Sequence, residues 1–182
     1  AVVKLCKDIN TGHKYAVKQM NKKKLMTQLL HGTTTAYQSV IEELKVLKML
    51  NHPNVIWLNE IIDDPKKDKL YVVTEWLTKG SLEDSLKKKN EGKKNRVGLP
   101  LSQVRDYLRD MLKALHYCHN VAKVLHRDIK PDNIMINHNN EAILIDFGVS
   151  ALKGDDDFIH TKMGTLLYFA PEMFQSGKNF RV

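Results

Sequence analysis

The chain has 182 residues, 42% hydrophobic and 27% charged, which is enough apolar material for one good core or two small ones and too much for a disordered chain. The formal net charge is +8, but the lysines fall in short runs (Lys22 to Lys24, Lys66 and Lys67, Lys87 to Lys89, Lys93 and Lys94) with no interleaved aromatics. Solvated faces are therefore expected, not a nucleic-acid surface. Cys6 and Cys118 share no metal-ligand spacing, and no apolar run nears the roughly 18 residues of a membrane span, so the expectation is a cytoplasmic protein with reduced thiols and no membrane contact.

Val2 to Cys6 and Lys14 to Met20 read as strands joined at Asn10-Thr11-Gly12, a hairpin whose glycine tolerates a positive φ. From Ala36 to Leu50, the residues Val40, Leu44, Leu47 and Met49/Leu50 recur at helical spacing, and Asn51-His52-Pro53 ends a helix of about four turns. Val55 to Ile62 and Leu70 to Thr74 predict two more strands around a turn from Asp63 to Lys69. Lys87 to Gly98 reads as an exposed connection between two halves. Beyond Pro100, with Ser102 as the expected cap, Val104, Leu108, Met111/Leu112, Leu115 and Cys118 form one apolar stripe that predicts a core-facing helix. Ile134 to Ile136 and Ala142 to Ile145 predict short strands around the turn Asn137 to Asn140.

That last hairpin separates the two most informative runs. The first is His126-Arg127-Asp128-Ile129-Lys130-Pro131-Asp132-Asn133, and the second is Asp146-Phe147-Gly148. Phosphoryl transfer from a metal-bound nucleotide needs an acid to hold a hydroxyl, a cation for the phosphate and oxygen ligands for a divalent metal. Asp128, Lys130, Asn133 and Asp146 supply that set.

With Ala16-Val17-Lys18 before them and Ala170-Pro171-Glu172 after, these runs resemble the eukaryotic protein kinases. The resemblance implies an α+β, bilobal protein-kinase-like fold: residues 1–77 as an N-lobe of antiparallel sheet plus helix, and 78–182 as the first part of a mainly helical C-lobe. It also implies truncation at both ends, because the chain starts at Ala1, where the third glycine of a phosphate-covering loop would fall, and stops ten residues past Glu172.

ATP and Mg2+ are the implied cofactors. Asp128 would orient or accept the proton of the attacking hydroxyl, and Lys130 would face the transferred phosphate, with Thr165 hydrogen-bonded near both. Asn133 and Asp146 would bind the metal. Lys18 would hold the α- and β-phosphates, oriented by an ion pair with Glu43; the neighbouring Glu42 suits a solvated face. The resemblance places Val3 and Ala16 above the adenine, Met135 below it, Glu75 and Leu77 as backbone partners, and Thr74 as a small gatekeeper that leaves a back pocket open. Leu47, Leu58, His126 and Phe147 would stack as an apolar spine. Thr161 would be a phosphorylation site, with Arg127 pairing the phosphate, and Asp155-Asp156-Asp157 reads as a solvated run.

Asp-Ile-Lys-Pro-Asp-Asn from Asp128 resembles serine/threonine kinases. His52-Pro53-Asn54-Val55, Asp63-Asp64-Pro65, Leu70-Tyr71-Val72-Val73, Tyr107-Leu108-Arg109-Asp110 and Asp146-Phe147-Gly148-Val149-Ser150 together resemble the calcium/calmodulin-dependent protein kinase kinases. The implied substrate is a protein, the activation-loop threonine of another kinase, and a calmodulin-binding segment would lie outside this chain. Three departures stand against that likeness: Gln19 to Tyr37 has neither arginine nor proline, Leu166 replaces the usual proline, and Thr161 stands where that group has no phosphorylatable residue. The alternative reading is a catalytically incompetent truncated kinase that binds nucleotide or a partner.

Overall fold

The computed structural model describes residues 1–30, 34–95, 97–152, 158–159, 163–174 and 180–181. Strand β1 (Val2–Lys7) pairs antiparallel with β2 (Lys14–Asn21), setting Val3 opposite Lys18 and Leu5 opposite Ala16. The turn between them closes because the Asp8 carboxylate accepts the backbone N–H groups of Asn10 and Thr11 at 2.8 and 2.7 Å, and Gly12 takes a φ of 75°. Adding β3 (Leu58–Asp63) and β4 (Lys69–Glu75) completes an antiparallel sheet in the order β1-β2-β4-β3.

Two helices follow β2. The short α1 (Lys22–Thr27), capped by the Asn21 side chain on the Lys24 N–H, was not expected, because a single turn carries no apolar period to read. Helix α2 (Ala36–Met49) matches the expected span and starts in a capping box between Thr35 and Gln38. Such boxes are worth about 1 kcal/mol. Leu44 packs with Met20, Leu70 and Val72 under the sheet, while Leu47 joins the larger core below.

The segment after α2 belongs to that lower core. His52 stacks on Tyr117 with ring centroids 5.1 Å apart, and the Asn51 N–H donates to the Tyr117 hydroxyl at 2.8 Å. The Asn54 side-chain amide donates to the Ala142 carbonyl at 3.0 Å, and Ile56 N–H and Leu144 N–H bond across to Leu144 and Asn54 carbonyls at 2.9 Å each. This corrects the expected strand from Val55: the Asn54 carbonyl and the Ile56 N–H on either side of it are taken by Leu144, so pairing with β4 begins only at Leu58.

Helix α3 (Leu82–Asn90) corrects a second expectation, since Lys87 to Asn90 is helical and only the remainder of that stretch is connection. A Ser81/Asp84 capping box nucleates it, and Lys87 pairs with Glu83 four residues earlier at 3.4 Å. Helix α4 (Leu101–His116) starts at Pro100, not Ser102, and its cap makes no side-chain hydrogen bond. Its buried face is Tyr107, Met111 and Ala114, continued by Cys118 in a π-helical turn. Leu108 and Leu112, expected in the core, are 58% and 66% exposed. The helix has apolar residues on two adjoining faces, and on the one that packs into the core the Asp110 carboxylate accepts the Ala142 N–H at 3.0 Å.

Beyond α4, β5 (Val124–Leu125), β6 (Ile134–Ile136), β7 (Ala142–Leu144) and β8 (Ala151–Leu152) form two small antiparallel pairs, β5 with β8 and β6 with β7. The backbones of β9 (Phe158–Ile159) and β10 (Phe180–Arg181) also pair. Among the described residues no helix is long and apolar enough to cross a membrane.

Asn54→Ala should leave the buried Ala142 carbonyl without its donor and cost about 1–3 kcal/mol in denaturant unfolding of the full-length protein. Burial pushes the Cys118 thiol up to about 11, whereas Cys6 is exposed. Native-state alkylation at pH 8, read peptide by peptide, should therefore label Cys6 rapidly and Cys118 only after unfolding.

Candidate active site

The β6–β7 hairpin sets the spacing of the site. Its turn is closed at Asn140, with a φ of 64°. The Ile145 N–H just beyond β7 donates to the Asn133 carbonyl at 2.9 Å, so Asn133 before the hairpin and Asp146 after it stand on one rim. Asp146 and Arg127 both hold a left-handed backbone, at φ 63° and 68°, a conformation that costs a non-glycine residue energy and persists only where its surroundings enforce it.

His126 is one of those surroundings. It is buried, with Nε2 2.9 Å from the Ile145 carbonyl and Nδ1 accepting the Asp128 N–H at 3.2 Å. Those two partners require a neutral ring with its proton on Nε2, and burial pushes its pKa below the ordinary histidine value in the same direction. The ring meets Phe147 edge-on at 4.8 Å. Leu47 and Phe147 share the core with Leu58 packed against it, so the four expected spine residues occupy one region.

Asp128 is the best-held side chain of the rim. Thr165 Oγ1 donates to Oδ1 at 2.7 Å, Lys130 Nζ to Oδ2 at 2.7 Å, and Asn133 Nδ2 to Oδ2 at 3.0 Å. Lys130 also donates to the Thr165 hydroxyl at 2.7 Å. Burial works to raise the Asp128 pKa, but the hydrogen bonds from Lys130 and Thr165 and the Lys130 charge outweigh it and hold the carboxyl below its usual range. The same hydrogen bond raises the Lys130 pKa. Three donors use about three of the four lone-pair sites of a carboxylate, which leaves about one for an incoming hydroxyl. Asn133 spends its amide nitrogen on Asp128, which leaves its amide oxygen to offer a cation.

Thr165 reaches Asp128 because the residue before it is glycine. Gly164 has a φ of 117°, and a Cβ there would lie 2.3 Å from the Arg127 carbonyl oxygen. Arg127 in turn donates from Nε to the Val149 carbonyl at 2.6 Å and from Nη2 to the Ser150 carbonyl at 3.2 Å. Thr161, its expected partner, and Asp155 to Asp157 lie outside the described residues.

Between the sheet and this rim is a cavity of about 300 Å3. Every residue expected around a nucleotide lines it: Val3, Ala16, Lys18, Thr74, Glu75, Leu77, Met135 and Asp146. The Glu75 N–H is committed to the Trp57 carbonyl at 3.2 Å, so of its backbone groups only the carbonyl is left for a ligand. Its half-buried side chain, raised in pKa by burial, accepts the Trp57 N–H at 2.9 Å. The sequence reading passed over Met20, Val40, Leu44, Ile56, Val72, Trp76 and Ile145, which also line the cavity. Met20 and Val72 were within reach of strand periodicity, two residues from Lys18 and Thr74 on the same faces.

Glu43 lines the cavity with Lys18, while Glu42 lies outside and pairs with Lys45 at 2.7 Å. The expected Lys18–Glu43 ion pair is corrected: it is not among the salt bridges of the described residues, which extend to 4.0 Å. Burial raises the Glu43 pKa, the Lys18 charge opposes this and the Asp146 charge adds to it. Glu43 thus sits deep in the wall, near enough to Asp146 for their charges to interact.

The oxygen donors present suit a hard cation. Among the described residues no three His, Cys, Asp or Glu side chains cluster as in an all-protein metal cage, whereas magnesium in phosphate sites takes one or two protein oxygens and the phosphates themselves. Asn133 and Asp146 fit that pattern.

Gly164→Ala should cost on the order of 1–3 kcal/mol of native stability and speed amide exchange over residues 163–174. Gly98, whose added Cβ would meet nothing within 4 Å, supplies the control: Gly98→Ala should change neither measurement.

Comparison with known proteins agrees with this geometry. Three relatives illustrate it: a probable serine/threonine-protein kinase of Dictyostelium discoideum, 35% identical over 94% of this chain and 23% of its own length; the serine/threonine-protein kinase GRIK2 of Arabidopsis thaliana, 35% identical over 88% of this chain and 38% of its own; and the CBL-interacting protein kinase 32 of Oryza sativa subsp. japonica, 32% identical over 96% and 37%. The chain thus spans between 23% and 38% of the curated relatives it matches, and these names do not single out the calmodulin-dependent kinase kinases. The family described as "Protein kinase domain" matches residues 1–181, and the chain belongs to it.

Proposed function

We propose that this chain carries the catalytic centre of a serine/threonine protein kinase, which transfers the γ-phosphate of ATP to a hydroxyl of a protein substrate. The observation that carries the reading is the Asp128 carboxylate, held ionised by Thr165, Lys130 and Asn133 beside a cavity that ends at Lys18 and Asp146. Residues 1–77 form the N-lobe and 78–182 the C-lobe, with the cavity between them.

In this reading the adenine lies between Val3 and Ala16 on one side and Met135 on the other, with the Glu75 carbonyl and the Leu77 backbone as its polar partners and Thr74 at the back. Lys18 would hold the α- and β-phosphates, and Asn133 and Asp146 would hold magnesium, which would neutralise charge on the phosphates. Asp128 orients the substrate hydroxyl through its one uncommitted lone pair and takes the proton late, as its depressed pKa makes it a weak base. A loose phosphoryl-transfer transition state asks for positioning more than for base strength. Lys130 lies beside Asp128, where it can donate to the moving phosphoryl oxygens, and Thr165 keeps the Asp128 carboxylate in one rotamer. Arg127 is the cation for a phosphate on Thr161.

The five segments that resemble calcium/calmodulin-dependent kinase kinases support a finer proposal, that the substrate is the activation-loop threonine of another kinase. A calmodulin-binding segment then belongs outside this chain. The second reading, a module that binds nucleotide or a partner without transfer, draws on one observation: Lys18 and Glu43 are not paired.

Phosphate transfer to a threonine substrate, measured in the full-length protein, separates the two. Asp128→Asn should reduce kcat by about 100-fold or more while nucleotide affinity persists, and Glu43→Gln should cost more activity than Glu42→Gln. Wild-type nucleotide binding without any transfer would leave the binding module as the answer.

A further inference from the structure

Lys22 is the one lysine buried among the described residues. A buried ammonium is costly unless fully partnered, and Lys22 is partnered: Nζ donates to Asp63 Oδ1 and to the Asp64 carbonyl, both at 2.7 Å. The other Asp63 oxygen, Oδ2, accepts the Tyr37 hydroxyl at 2.9 Å. The Lys22 hydrogen bond, against opposition from burial and with help from Tyr37, holds the Asp63 pKa down, and the bond to Asp63 raises that of the Tyr37 hydroxyl.

The chain positions of the three residues give the cluster its meaning. Lys22 directly follows β2, the strand that carries Lys18. Tyr37 is the second residue of α2, the helix that carries Glu43. Asp63 ends β3 and touches both. The other end of α2 runs into the segment bonded to Tyr117, Ala142 and Leu144. The start of α2 is also held through its backbone, with the Ala36 N–H donating to the Gln28 carbonyl at 2.8 Å, so what side chains are left to set is roll about the helix axis. Glu43 stands six residues past Tyr37, about 9 Å along the axis, and lines the cavity with Lys18.

We infer that Asp63 is a positioning residue: by joining Lys22 to Tyr37 it fixes the roll of α2 against the end of β2 and so sets where Glu43 stands relative to Lys18. Packing alone constrains that roll less, because the apolar contacts of Tyr37, Val40 and Leu44 with Met20, Leu70 and Val72 are non-directional. A charged hydrogen-bond pair is directional where such packing is not. The inference rests on the kinase reading for what Glu43 does, but not for the cluster itself.

The test uses initial-rate kinetics of the full-length protein. Tyr37→Phe removes only the hydroxyl and keeps the ring. It should lower kcat about tenfold, the ratio that about 1.4 kcal/mol produces, and leave the KM for the protein substrate unchanged. In a Glu43→Gln background the same change should alter kcat by less than about twofold, since the residue through which it acts is gone. Asp63→Asn should behave likewise. Lys23→Ala, which breaks only the exposed pair with Asp68, should leave activity as it was. Equal losses in both backgrounds would mean a general stability effect and overturn the inference, as would an unchanged kcat in Tyr37→Phe. If the wild type transfers no phosphate, the kinase reading fails, and the positioning is read from ATP affinity instead. Tyr37→Phe should then weaken binding about threefold in the wild type and not in Glu43→Gln; equal weakening in both would overturn it.

Discussion

The site depends on one carboxylate receiving three side-chain hydrogen bonds. Asp128 draws Thr165, Lys130 and Asn133 to itself, and each comes from a different piece of backbone: the segment after Gly164, the loop beside Asp128, and the turn before β6. A carboxylate that loses its water must recover those hydrogen bonds from protein. The demand of this group therefore sets where three segments meet. His126 contributes from below by accepting the Asp128 N–H while bonding to the Ile145 carbonyl, which ties the same loop to the strand leading into Asp146.

A second set of bonds makes the cavity. The stretch from Asn51 to Ile56 connects two elements of the upper sheet and helix, yet its hydrogen bonds go to Tyr117, Ala142 and Leu144. Backbone polar groups removed from water must find partners, and here they find them in β7. The sheet that carries Lys18 is thus held over the hairpin flanked by Asn133 and Asp146, with a cavity of about 300 Å3 between. Glu75, bonded to Trp57 through both backbone and side chain, braces the wall of that gap.

Legibility followed the range of the interaction. The run from His126 to Asn133 and the Asp-Phe-Gly at Asp146 were readable because their identities are chemically constrained at short spacing, whereas Val3, Ala16, Thr74, Glu75, Leu77 and Met135 are apolar or strand residues that only the resemblance to protein kinases singled out. Helix α2 was readable because its apolar period is long. Helices α1 and α3 were not, since each is held by a cap and a few ion pairs with little apolar pattern, and Ser81-x-x-Asp84 was the signal overlooked. On α4 the period was right and the stripe half right: Met111 and Cys118 are buried and Leu115 packs on the core, while Leu108 and Leu112 face outward and Tyr107 and Ala114 complete the buried face. The Lys18–Glu43 pair was expected from the resemblance and from the place of Glu43 on its helix, but whether two side chains meet depends on how that helix sits, which no local pattern encodes.

The amino-acid sequence by itself determined which groups are present and in what order: the acid, the lysines, the oxygen donors for a cation, the glycine ahead of Thr165 and the alternation that makes the sheet. These are properties of residue type and near neighbours, set by side-chain chemistry and backbone sterics. Tertiary structure decided the rest: that Asp128 is ionised and nearly saturated with donors, that Glu43 lies inside while Glu42 lies out, and that Lys22 is buried against Asp63. Those outcomes depend on burial and on partners tens of residues away, and the electrostatic cost of leaving such groups unpaired exists only once water has been excluded.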